Sequence, residues 1–280
     1  MIKYSLPIIL LLLFSNCNPN DDIINDYNYW IKENKAIISG YFGKRKDVVI
    51  PTYIKNYPVV IIDRDAFRNK GIKSVILPEH LEIIKDDAFA YNQLTEIKFP
   101  DNVSYIGGNA FAMNKLKSIS IPENVTIVNR ETFCFNELTS VKFHEKIQSI
   151  EYRAFEQNYL TEVSLPDSLT YIGTAAFRRN KLTNLTIPKN IIEIEEYTFF
   201  KNLFSSILIH DKIKKIGYYA FANCDSLTKV TFEGTIPSED FSTKEPFPGD
   251  LRDKFYADDA DNGTPGTYTR EADSTVWIRQ

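Results

Sequence analysis

Phenylalanine returns every 22 residues through most of this chain, at Phe67, Phe89, Phe111, Phe133, Phe155, Phe177, Phe199 and Phe221. The apolar positions keep fixed offsets from each ring. Ile or Leu usually lies five residues on, as at Ile72, Leu94 and Leu138. Apolar pairs follow at eight and ten, such as Ile97/Phe99, Ile119/Ile121 and Val163/Leu165. That alternation has period two and is rich in β-branched residues, which predicts a short strand. Proline usually comes next (Pro78, Pro100, Pro122, Pro166, Pro188) and, lacking an amide donor, suits a strand end. Two further apolar slots complete the unit, as in Val103/Ile106 and Leu169/Ile172. No single unit can bury such a set, so the pattern predicts eight stacked coils that cover each other's apolar edges.

The polar positions repeat as well. Three residues after the ring stand Asn92, Asn114, Asn136, Asn158, Asn180 and Asn202, with Lys70 before them and Cys224 after. An asparagine offers both a donor and an acceptor, so this column is expected to be a structural ladder that satisfies turn backbone; the alternative is a row of solvated turn residues. Seven and nine after the ring the strand should point outward. Those positions, one later in the last unit, are mostly small and hydroxylic, with Glu96, Lys98, Lys142, Glu162, Asn184 and Lys229 among them. They are the candidate ligand contacts; plain solubility is the competing reading. Tyr91, Phe135 and Arg179, two after the ring, are possible anchors on the flank.

The phrase AFxxNxLxxIxIPxxVxxI, as in the stretch from Ala110 to Val128, resembles the bacterial leucine-rich repeats of the BspA-like, Treponema type. The resemblance covers about residues 50 to 237. It implies an α/β-type leucine-rich-repeat solenoid, a horseshoe rich in strand. The parallel sheet would line the concave face, with turns or short helices on the convex face. It also implies a surface adhesin, since such repeats occur in proteins that bind fibronectin or fibrinogen. A longer period lies within: PDNVSYIGGNAF from Pro100 matches PDSLTYIGTAAF from Pro166, which suggests duplication of a three-repeat block.

The ends differ from the array. Residues 1–16 carry a short apolar run, Leu6 to Phe14, too short to span a bilayer and shaped like a signal peptide. Cys17 follows directly and resembles the lipidated cysteine of a bacterial lipoprotein, although Asn16 is unusual before it. The expected order is a signal peptide (1–16), an acidic tether (17–29), an N-terminal cap with a first long repeat (30–62), the repeat array (63–237) and a C-terminal cap (238–280). Trp30 and Trp277 stand outside the array and are expected to cover its ends. Cys134 and Cys224 lie four coils apart, about 19 Å at the spacing of stacked strands, so no disulfide is expected between them.

Composition is ordinary for a globular chain: 280 residues, 43% hydrophobic, 25% charged, with a formal net charge of −4. Acidic and basic residues alternate without a long basic run, which argues against nucleic acid as a partner. His144 and His210 are three coils apart, too far to share a metal, and no metal or cofactor is expected. The acidic stretch DDADNG at Asp258 fails the calcium-loop pattern at Ala260 and Thr269. No nucleophile or phosphate-loop motif appears, so no enzyme is expected. The expectation is a lipid-anchored binding protein, exported across the inner membrane and held at the outer membrane or cell surface. It would recognise a protein or glycan ligand through the solenoid face and touch the membrane only through its anchor. The alternative is a periplasm-facing structural or assembly lipoprotein on the same scaffold.

Overall fold

A computed structural model describes residues 24–280. The eight phenylalanine rings form one buried column. Tyr41 joins it at one end and Phe247 at the other, so ten rings stack in nine successive pairs. Their centroids are 4.8 to 5.9 Å apart, with planes within 23° of parallel. Offset stacking in this range contributes about 0.5–1.5 kcal/mol per pair beyond area burial. Each ring's amide donates to the carbonyl of the residue before the next ring, as in Phe111 to Thr132 at 3.0 Å. The same bond runs from Tyr41 to Ala66 at 2.9 Å and from Phe221 to Pro246 at 2.7 Å. Both caps therefore continue the coil, although each lies 26 residues from its neighbouring ring, not 22.

Each coil has two short walls. The first holds the predicted strand, paired in parallel as Asp47–Val49 with Ser74–Ile76, Ser118–Ser120 with Ser140–Lys142, and Ser206–Ile209 with Lys229–Phe232. The second comes from the two apolar slots that complete each unit, where the resemblance implied turns or short helices. It pairs Ile83–Ile84 with Tyr105–Ile106, Ile127–Val128 with Ser149–Ile150, and Glu193–Ile194 with Lys215–Ile216. The remaining side is a turn around the ring. Residues two before and two after all eight rings have positive φ, from Asp65 and Asn69 to Tyr219 and Asn223. None of these sixteen is glycine, so the stack holds them in a region that costs an unsupported L-residue about 1–2 kcal/mol. Each repeat thus passes from wall to wall through turns. The single described helix is Leu251–Phe255, in the C-terminal cap.

Asparagine closes the turn. Asn136 Oδ1 accepts from the Leu116 amide at 3.0 Å, and its Nδ2 donates to the carbonyls of Phe111 and Phe133 at 2.9 and 3.2 Å. Asn92, Asn114, Asn158, Asn180 and Asn202 make the same buried bonds one coil at a time. Cys224 ends the column by donating its thiol to Phe199 O at 3.4 Å.

The ends are sealed by antiparallel strands. Tyr27–Lys32 pairs outside Lys35–Tyr41, so this strand takes in the last residues of the stretch expected to be tether. Tyr27 is buried, whereas Trp30 is 43% exposed. Trp30 is not the cover expected of it, because the smaller ring of Tyr41 already stacks on Phe67 and that of Tyr27 packs edge-on against it. At the other end Gly266–Thr269 pairs with Lys229–Phe232 and then with Ile278–Arg279. Trp277 is buried there, its indole N–H donating to Pro248 O at 2.7 Å.

Candidate functional site

The first wall carries the candidate contacts, and it is interrupted. Between its paired strands lie coils whose wall segments make no main-chain bonds to their neighbours at residues 96–99 or 162–165. In the paired strands Ile119, Ile207 and Ile209 are sealed, with Ile121 beside them, whereas Val75 and Val141, although each is paired on one side, are partly buried. In the unpaired segments Ile97, Phe99, Val163, Leu165 and Leu185 are likewise only partly buried. Grooves open at these places. One, of about 730 Å³, runs along Ser74–Leu77 and residues 96–100, with Glu79, Glu96 and Lys98 on its rim. A second, of about 600 Å³, shares Lys98 and Phe99 and reaches Lys142 and His144. A third, of about 620 Å³, lies between Ser140, Glu162 and Asn184.

The fold therefore gathers Glu96, Lys98 and Lys142 around two adjoining grooves and puts Glu162 and Asn184 on a third. Lys229 stands apart, in a strand opposite Thr269 of the C-terminal cap. All six side chains are exposed. Each groove presents partly covered aliphatic and aromatic carbon between charges of both signs. Chemically, that suits apolar side chains of a polypeptide flanked by charged ones.

The family model for the BspA type leucine-rich repeat region matches in six copies, over residues 60–180 and 149–243. The chain is a BspA-type leucine-rich repeat protein. Solved structures share the fold. A leucine-rich cell surface protein of Faecalibacterium prausnitzii is 23% identical, with TM-score 0.52 over 73% of this chain and 74% of its own. The pneumococcal vaccine antigen PcpA is 18% identical, with TM-score 0.55 over 74% of this chain and 68% of its own. Among curated proteins none matches.

In this BspA-type array the flank positions divide. Tyr91 is 47% exposed with the Arg68 guanidinium over its ring at 5.1 Å, Arg179 is exposed, and Phe135 is half-buried. Cys134 and Cys224 are free and buried, and burial pushes both thiols up to about 12, which removes them from nucleophilic chemistry. His144 is held by both ring nitrogens: Nε2 lies 2.9 Å from Pro122 O, and Nδ1 accepts from the Lys146 amide at 3.2 Å. This fixes the Nε2–H tautomer while the ring is neutral. Among the described residues no three His, Cys, Asp or Glu side chains are placed to share a metal ion. None of the described helices is long and apolar enough to cross a membrane. Cys17 lies outside the described residues.

The grooves escaped sequence reasoning. Residues 96–99 keep the same alternation as their paired neighbours, so nothing in the pattern marks the lapse. The nearest signal is the bulky Phe99 and Phe143 where other coils carry Ile or Leu. Both rings pack edge-on against the column, Phe99 on Phe111 at 5.4 Å and Phe143 on Phe155 at 5.7 Å.

Proposed function

We propose that this chain is a lipid-anchored cell-envelope protein, tethered through Cys17, that holds a protein ligand in the grooves of its first wall and acts as a surface adhesin. The interrupted wall carries the proposal. It leaves apolar carbon open between Glu96, Lys98 and Lys142, where a fully paired sheet would seal it. The structural neighbours named as a cell surface protein and a vaccine antigen are consistent with exposure outside the cell. A host matrix protein is the ligand class this reading favours.

Two measurements test it. Protease applied to intact cells should remove the protein while a periplasmic control survives. Protection would instead favour a periplasm-facing assembly scaffold on the same fold. Adhesion to immobilised fibronectin and fibrinogen should then fall about tenfold with Lys98→Glu/Lys142→Glu, since reversed charges repel the partner's rim. Adhesion left intact by that double change would remove the first wall from consideration.

A further inference from the structure

Folding sorts charges that the sequence interleaves. The exposed positions two, four and six after each ring, with the column that Lys70 begins, form a strip along the turn edge beside the first wall. At its N-terminal end stand Lys44, Arg45, Lys46, Lys70 and Lys73. Lys46 belongs to the strip because its carbonyl accepts from the Lys73 amide at 2.7 Å and its ammonium reaches Lys70 O. Further along come Lys115 and Lys117, then Arg179, Lys181 and Lys201. Arg179 and Lys201 hold equivalent places in adjacent coils.

None of these ten cations has an ion-pair partner among the described residues, whereas Arg64, Lys85 and Lys35 outside the strip bind Asp86, Asp63 and Glu82. The strip contains three carboxylates, Asp47, Glu137 and Asp225, from the Tyr41 coil to the Phe221 coil. Ten against three gives it a net charge of +7, in a chain whose full sequence sums to −4. The strip runs seven coils from the Tyr41 turn to the Phe199 turn, about 34 Å at the spacing of stacked strands. Its two dense ends begin about 24 Å apart, five coils, with Lys115 and Lys117 between them.

We propose that this edge binds an extended polyanion, a sulfated or carboxylated linear polysaccharide laid along the coil axis. Charge complementarity over that length requires a polymer, because a single small anion meets only one or two cations. The aromatic groups favour a glycan over single-stranded nucleic acid. Base stacking needs free ring faces. The exposed rings here already carry cations: Lys70 over Phe42 at 5.2 Å, Arg68 over Tyr91 at 5.1 Å and Lys181 over Tyr159 at 4.7 Å. The site is separate from the first-wall grooves and does not depend on them.

The test is binding of the full chain to heparin and to its size-fractionated oligosaccharides. Affinity should fall at least about tenfold when salt rises from about 0.15 M to 0.5 M. Oligosaccharides that span both dense ends should bind about tenfold or more tighter than those that cover one. Lys44→Glu/Lys73→Glu and Arg179→Glu/Lys201→Glu should each abolish that length gain, with the glutamine versions doing so more weakly. Thermal unfolding unchanged from the parent chain certifies each variant. Lys98→Glu/Lys142→Glu should leave heparin binding as it was. The proposal is overturned by absent binding near 0.15 M salt, by no gain with length, or by variants that bind like the parent. Equal or tighter binding to single-stranded DNA of matched charge, or to anionic phospholipid vesicles, overturns it in favour of those partners. If adhesion depends on Lys98 and Lys142 while heparin does not bind, the edge proposal fails and the groove reading stands.

Discussion

Asn136 sits mid-array, and its replacement by alanine isolates the value of one rung. Four buried main-chain groups bond to it; one of them, Cys134 O at 3.3 Å from its Nδ2, also keeps the Met113 amide. The Leu116 amide has Asn136 Oδ1 as its partner, whereas the Phe111 and Phe133 carbonyls also receive the amides of Asn114 and Asn158. Alanine therefore orphans one buried N–H outright and halves the bonding of three carbonyls. An unsatisfied buried group costs about 1–3 kcal/mol, and the carbonyl losses add less, so about 2–4 kcal/mol is expected in all. A stack of coils can open piecewise, so a global midpoint would blur the effect. Native-state hydrogen exchange at the Leu116 amide reads it locally. Exchange there should quicken by about 30- to 700-fold, with coils beyond the immediate neighbours little changed. Asn136→Cys should cost less, because a thiol can still donate to Phe111 as Cys224 does to Phe199. An unchanged Leu116 rate in the alanine variant would refute the argument that the rung is what satisfies this turn.

Two glycines should respond unequally to Ala. A Cβ on Gly217 would meet Glu196 N at 2.6 Å and Glu195 C at 2.8 Å, backbone that cannot yield, so Gly217→Ala should cost about 1–3 kcal/mol in denaturant unfolding. On Gly108 it would meet mainly Arg130 Cγ and Nε at 3.0 and 3.1 Å, a flexible side chain, and Gly108→Ala should cost far less. His210 should make stability depend on pH. Burial depresses its pKa below the ordinary 6.5, with Lys189 adding to the fall and the Pro188 hydrogen bond, Asp211 and Glu233 opposing it. The unfolded chain then binds more protons below pH 6.5, so this contribution is present at neutral pH and lost as pH falls toward the folded pKa. Unfolding midpoints at about pH 7.5 and 5.5 should converge more in His210→Phe than in the parent; equal slopes would clear His210 of the role.

The array was legible because each coil solves the same burial problem with the same offsets. Phe67 to Phe221, the Leu94 and Ile119 positions and the asparagine column follow from counting alone. Tyr41 and Phe247 were hidden by four extra residues on each side and by the change from Phe to Tyr at one end, although both occupy ring positions. The second wall was hidden by brevity: Tyr105–Ile106 and Ser149–Ile150 are two-residue strands, too short for any period to register. Trp30 misled because size alone suggested a cap, and Tyr27 does that work from three residues earlier. The grooves depend on whether adjacent coils close, which alternation does not encode. The basic edge depends on which residues fall side by side across coils, which a linear scan does not register.

The coils also have a mechanical meaning. The caps lie at opposite ends of the stack, so a pull between them loads the array along its axis. Coils joined by rungs of similar strength would then part singly from an end. Each 22-residue turn that unwinds pays out about 70 Å of slack in place of roughly 5 Å of height. An array held at its two caps would lengthen in equal parcels under load, dissipating it turn by turn.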